Sequence, residues 1–215
     1  ALCTNIHATR PEILIAVDHE GGRVQRFRTE FTEVPAMAEI AGREHPEEAF
    51  RAAGQVLAEE IREVGGDLTF APVLDINYCR SSVIGNRSFG KNSLEVIKNA
   101  GAFIEGLADA GMASCGKHFP GHGWAEADSH IALPTDERSV EALERDMEPY
   151  RAIKKLASVM TAHVSYEAYH GELATFSSTL LKKVLREELG FDGLIFSDDL
   201  SMKAAVVDTI VDRAE

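Results

Sequence analysis

Cysteine, basic charge and long apolar runs are all scarce in this sequence, and each shortage excludes something. Three cysteines, Cys3, Cys79 and Cys115, lie too far apart for a zinc pattern and cannot all pair, which argues against a disulfide framework and for a reducing compartment. Only 22 Lys and Arg stand against 35 Asp and Glu, and the net charge of −13 has no basic cluster to interrupt it. Phosphate backbones and anionic lipid are repelled by such a balance, so no nucleic acid and no membrane surface is expected as a partner. No apolar run approaches the ~20 residues of a membrane helix, and the opening Ala-Leu-Cys-Thr-Asn-Ile-His lacks the basic and apolar regions of a signal peptide. A cytoplasmic protein is the expectation. The chain starts without Met and stops in mid-pattern at Val-Asp-Arg-Ala-Glu, so terminal sequence is expected to be missing.

What is present is ordinary globular composition, 45% apolar and 27% charged over 215 residues, enough for one substantial core. The run from Ile13 to Asp18 is continuously apolar and suits a strand buried on both faces. Phe50, Ala53, Val56, Leu57, Ile61 and Val64 fall at helical spacing between Pro46 and Val64, with Gly65 and Gly66 as the stop. A strand follows over Leu68 to Asp75, with a bulge or distorted end expected at Pro72. A helix is expected from about Ser93 to Ala110, with Leu94, Ile97, Phe103, Ile104 and Leu107 on one side, and a short strand over Met112 to Gly116. Val140 to Leu156 reads as a helix, Ser158 to His163 as a strand, Ser177 to Leu189 as a helix capped by Ser177 or Ser178, and Gly193 to Asp198 as a strand.

Five apolar strands alternating with helices imply an α/β fold with parallel pairing, either an open doubly wound sheet or a (β/α)8 TIM-type barrel. Polar residues decide for the barrel. Asp18, Asp75, Lys117 with His118, His163 and Asp198 stand at the C-terminal ends of different strands, which converge on one face in a barrel. No glycine-rich phosphate fingerprint follows the first strand. Five units are too few for a ring, so an incomplete barrel in a single domain, residues 1–215, is expected.

The stretch from Cys115 to Pro134 carries Lys117, His118, His122, Asp128 and His130, and Pro120, Gly121 and Gly123 predict an irregular loop there. Loops of this kind usually bind or catalyse. Asp128 and His130 are one residue apart, so the carboxylate can hold one imidazole nitrogen while the other serves as a proton shuttle; turn contacts alone would explain the spacing equally well. Asp198 closes an apolar strand and suits catalysis, whereas Asp199 suits a helix cap. Arg23, Arg26, Arg28 and Arg87 offer guanidinium forks for ligand oxygens. Trp124 is either a sugar platform or a cover for the loop. Histidines beside aspartates also admit a metal, but neither His-x-His nor His-Glu-x-x-His occurs, and no metal or other cofactor is expected.

Six motifs then point to a family: Ala16 to Phe27 (AVDHEGGRVQRF), Phe70 to Asp75 (FAPVLD), Gly85 to Gly90 (GNRSFG), Lys117 to Gly123 (KHFPGHG), Asp128-Ser-His130 and Phe196 to Met202 (FSDDLSM). In this order they closely resemble the β-N-acetylglucosaminidases (β-N-acetylhexosaminidases) of glycoside hydrolase family 3. The resemblance implies a (β/α)8 barrel and a retaining mechanism on terminal β-linked N-acetylglucosamine. It makes Asp198 the nucleophile and His130 the general acid and base with Asp128 behind it. It gives Asp18, Arg26, Arg87, Lys117 and His118 the sugar hydroxyls. A phosphorylase on the same scaffold and a sugar-binding fragment without turnover remain open.

The expected partner is a small carbohydrate, an N-acetylglucosamine-containing muropeptide of cell-wall recycling, handled by a full-length enzyme that is a monomer. The family carries a further strand before Ile13 and two β/α units after Asp198, so little activity is expected of this chain alone.

Overall fold

The computed structural model describes residues 2–126 and 133–205. In chain order its elements are α1 (Leu2–Thr9), β1 (Ala16–Val17), β2 (His19–Gly21), β3 (Val24–Gln25), α2 (Met37–Ala41), α3 (Pro46–Glu63), β4 (Leu68–Thr69), α4 (Ser93–Asp109), β5 (Cys115–Phe119), β6 (Thr135–Asp136), α5 (Val140–Ala152), β7 (Ser158–Thr161), β8 (Ser165–Tyr166), β9 (Glu172–Leu173) and β10 (Leu194–Phe196). A π-helix, Thr179–Glu188, precedes β10, and a single 3-10 turn covers Gly85–Arg87.

β1 pairs in parallel with β4, Ala16 opposite Leu68. Parallel bridges from Leu68 to Ala113 and from Val73 to Lys117 carry the order on to β5. β5 pairs with β7 and β7 with β10, both parallel. The run β1, β4, β5, β7, β10 therefore follows chain order, whereas a doubly wound sheet reverses its order at a switch point. The α/β class is as expected. Among the described residues the run does not close into a ring.

Several elements depart from expectation. The first strand is shorter than Ile13 to Asp18 and is not buried on both faces: Leu14 is 65% exposed, because β1 has a partner on one side only among the described residues. β4 stops at Thr69, and Pro72, which lacks an N–H, lies in the gap before the Val73 bridge. Leu94 is 75% exposed; the buried face of α4 is Val96, Ala100, Phe103 and Leu107. Alternation of strand and helix is interrupted by the β2–β3 hairpin and by a small sheet in which β8 pairs parallel with β6 and antiparallel with β9. These strands are two or three residues long and leave no period to read.

Helix ends are where local chemistry places them. Asn92 caps α4 by accepting from the Glu95 amide, and Ser139 caps α5 by accepting from Ala142. Gly65, at φ +86°, ends α3: its amide donates to Arg62 O and that of Gly66 to Ile61 O, the paired bonds of a Schellman stop. α3 lies against α4 at very short range. A Cβ on Gly54 would fall 2.2 Å from Phe103 O, and one on Gly106 only 1.9 Å from Arg51 O. Phe50, Leu57, Ile61, Phe103 and Leu107 fill the seam between them. No described helix is long and apolar enough to cross a membrane.

Candidate active site

β5 runs through the segment expected to be a loop. Its strand spans Cys115–Phe119 with every residue buried, so Lys117 and His118 sit on a strand and not beyond one. Strict alternation would send these neighbours to opposite faces. A bulge prevents that: Lys117 pairs with Met160 and Phe119 with Thr161, leaving His118 as the extra residue. Bulges re-aim side chains in this way, and both Lys117 and His118 reach the same cavity.

That cavity has a volume of about 530 Å³ and lies across the strand ends, with Asp18 after β1, Arg26 after β3, Lys117 and His118 on β5, and Asp198 after β10. Arg87 enters from the Gly85–Arg87 turn, while Phe70 and Met160 give the wall apolar surface. Its carboxylates are Asp18, Glu20, Asp198 and Asp199, and its cations are Arg23, Arg26, Arg87 and Lys117. The charges balance, four against four, in a chain that is strongly acidic overall.

Buried ion pairing sets the floor. Lys117 Nζ lies 2.8 Å from Asp18 Oδ1 and 2.7 Å from Glu20 Oε1, and Arg87 grips Glu20 through Nε and Nη2, each at 2.8 Å. Burial alone would raise the Glu20 pKa, but Lys117 and Arg87 reverse this and hold it at about 2. Lys117 is itself raised: burial opposes its charge, and Glu20 and Asp18 outweigh burial. The chain enters this arrangement through Gly21 and Gly22, whose positive φ values let the backbone turn tightly against Val34 and Ala36.

Asp75 organises the other wall. Its buried carboxylate accepts from the backbone amides of His118 and His122 and from His118 Nδ1 at 2.7 Å. A carboxylate only accepts, so Nδ1 carries the hydrogen and Nε2 is left for another partner. Burial would raise the Asp75 pKa; the His118 charge and hydrogen bond, with His122, bring it below its ordinary value. Burial, followed by the nearby His118, lowers that of His122.

Every described residue of the expected set, Asp18, Arg26, Arg87, Lys117, His118 and Asp198, thus lines one cavity. Asp128 and His130 lie outside the described residues. Asp199 accepts from the Ser201 amide two residues on, a local turn contact, while the short 3-10 turn after it begins only at Lys203, and Asp199 also lines the cavity. Arg28 is turned away, donating to Gly22 O. His163 is not at the cavity wall as expected: it lies buried just past β7, with Nε2 on Asp199 O and Nδ1 on Thr175 Oγ1. Trp124 does not line the cavity either. It lies between the guanidinium groups of Arg80 and Arg138, at 4.2 and 4.9 Å from its ring. Glu20 escaped the sequence reading although it alternates with Asp18 across His19, a period-two signal that was there to find.

Comparison with known proteins supplies the family. Residues 4–214 match the model of the Glycosyl hydrolase family 3 N terminal domain. A beta-hexosaminidase of Pseudomonas aeruginosa is 51% identical over 208 residues, 96% of this chain and 63% of that protein, and one of Thiobacillus denitrificans is 49% identical over 99% of this chain and 62% of its own length. The chain therefore spans somewhat under two thirds of these relatives. The crystal structure of NagZ from Neisseria gonorrhoeae in complex with N-trifluoroacetyl-D-glucosamine superposes with a TM-score of 0.92 at 47% identity, covering 99% of this chain and 64% of that one. A glycoside hydrolase family 3 beta-N-acetylglucosaminidase from Paenibacillus gives 0.86 at 38%, covering 94% and 40%. With the family match running almost end to end and identities near one half, this chain belongs to glycosyl hydrolase family 3, in its N terminal domain.

Proposed function

We propose that the chain carries the catalytic centre of a retaining β-N-acetylglucosaminidase, and that its parallel run is an arc of a (β/α)8 barrel within a single catalytic domain. The observation that supports this best is the convergence of six motif residues, from four separate segments of chain, on one charge-balanced cavity. Paired carboxylates and cations with no net charge suit a neutral polyhydroxy ligand, whose hydroxyls both donate and accept. The relatives that carry hexosaminidase names supply the N-acetylhexosamine.

In the proposed reaction the Asp198 carboxylate attacks the anomeric carbon while His130 protonates the departing glycosidic oxygen, giving a glycosyl-Asp ester. His130, now neutral, takes a proton from water; the water oxygen attacks the same carbon and releases Asp198, so configuration is retained. Asp128 holds the imidazole through both steps. Asp18, Arg26, Arg87, Lys117 and His118 hold the sugar hydroxyls, and Phe70 and Met160 meet its C–H faces. The physiological substrate under this reading is a muropeptide, met in the cytoplasm by a monomer.

A slow 5-fluoro N-acetylglucosaminide incubated with the full-length protein should label Asp198, and Asp198→Ala should lower turnover at least 10³-fold. Label on another residue, or near-normal turnover by the variant, removes the mechanism. Products formed with phosphate present separate hydrolysis, which yields the free sugar, from phosphorolysis, which yields the 1-phosphate.

A further inference from the structure

Glu20 is gripped by two cations at the cavity floor and has no part in the reaction as drawn. It is 4% exposed, beside a Lys117 that is 2% exposed, and both of its oxygens are engaged. Oε1 accepts from Lys117 Nζ and from Arg87 Nη2, and Oε2 accepts from Arg87 Nε. Counting donors shows what this leaves. Lys117 has three N–H bonds, of which one points to Asp18 and one to Glu20, so among the described residues one remains. Arg87 has five, of which two go to Glu20 and one to Val83 O, so among the described residues two remain. The remaining donors belong to groups that line the cavity.

We infer that Glu20 is a positioning residue for ligand binding, whose carboxylate fixes the Lys117 ammonium and the Arg87 guanidinium so that their remaining N–H bonds meet ligand oxygens. The inference rests on the glycosidase reading and deepens it. A flexible lysine and a free arginine would otherwise lose rotamer freedom when the ligand arrived, and would repel each other across the same floor. Glu20 removes both costs before binding. Its carboxylate also lines the cavity, with two cationic donors on Oε1 and one on Oε2, so most of its acceptor capacity is already used and the donors beside it favour ligand oxygens as acceptors.

The test compares full-length wild type with Glu20→Gln on a chromogenic N-acetylglucosaminide. The amide matches the carboxylate in shape but has one acceptor and adds a donor facing two cations. KM is expected to rise tenfold or more with kcat within threefold, since interactions made equally in ground and transition states set KM alone. The KM factor should shrink by at least threefold when Glu20→Gln is placed in a Lys117→Met background, because the two act as one unit. Unchanged KM, a loss confined to kcat, or factors that multiply independently would each overturn the assignment. A carboxylate serving stability alone would lower Tm and leave the KM of the folded enzyme unaltered, which also overturns it. Should Glu20→Gln fail to accumulate, Glu20→Asp draws the charge back by one methylene and is read by the same criteria. If wild type itself neither binds nor cleaves the glycoside, the failure lies with the glycosidase reading and not with Glu20.

Discussion

The cluster beneath Tyr78 should make stability depend on pH in an unusual direction. Two buried carboxylates, Asp136 and Asp146, share one guanidinium: Arg138 donates to Asp136 through Nε and Nη2 and to Asp146 Oδ2 through Nη1 at 2.8 Å. Among the described residues one negative charge is left over, and Asp146 Oδ1 is buried without a hydrogen-bond partner. Burial raises the Asp146 pKa from 3.8 to about 6, with Asp75 adding to it and Arg138 and Tyr78 opposing. A raised folded pKa means that the folded protein holds the proton more tightly, so this group's contribution is complete below 3.8 and is lost as pH rises through about 6.

The shift corresponds to about 3 kcal/mol over the whole window, of which about 2 kcal/mol falls between about pH 7.5 and pH 4.5. Staying above pH 4.5 keeps Glu20 out of the measurement, because its lowered pKa acts only below that value. Asp146→Asn removes the titration. Urea unfolding followed by circular dichroism at pH 4.5, 5.5, 6.5 and 7.5 should show wild type gaining on the variant as pH falls, by about 2 kcal/mol across the series. Two stability curves that stay parallel within about 0.5 kcal/mol would refute the reasoning, and so would wild type losing ground toward acid pH.

Gly106→Ala would place a methyl 1.9 Å from Arg51 O, so although alanine is the better helix former, α3 and α4 must separate. A loss of about 2–3 kcal/mol is expected in chemical unfolding, and an unchanged midpoint would show that the helices yield freely. Asp75→Asn should leave His118 without a fixed tautomer and lower kcat/KM by about tenfold or more in the full-length protein. Because the Asp75 pKa is lowered, its stabilisation is present above pH 3.8 and lost as pH falls further. The variant should therefore show a flatter acid limb, and an acid limb as steep as that of wild type would contradict the assignment.

Much of this architecture is visible in the sequence wherever apolar spacing is long enough to carry a period. α3 spans Pro46–Glu63 and α4 Ser93–Asp109, both within a residue of the helices read from spacing and glycine stops. Strands of two or three residues carry no such signal, which is why β2, β3, β6, β8 and β9 went unread. Leu94 shows the opposite failure: it matches the helical stripe, but it stands in the first turn of α4, where it is exposed. Of the site, the residues that touch the cavity were legible through their motifs. How those residues are held in place was not. Asp75 stood out at a strand end and Glu20 alternates with Asp18, but their partners Arg87 and His118 lie 67 and 43 positions away, and that pairing only the folded chain displays.

The extra residue in β5 has a bearing on how tightly any ligand is held. Lys117 and His118 are successive residues of one backbone segment pinned between the Val73 bridge and β7, so a ligand that touches one finds the other already in register. Two contacts then share a single loss of freedom, which favours small ligands that offer few atoms to grip.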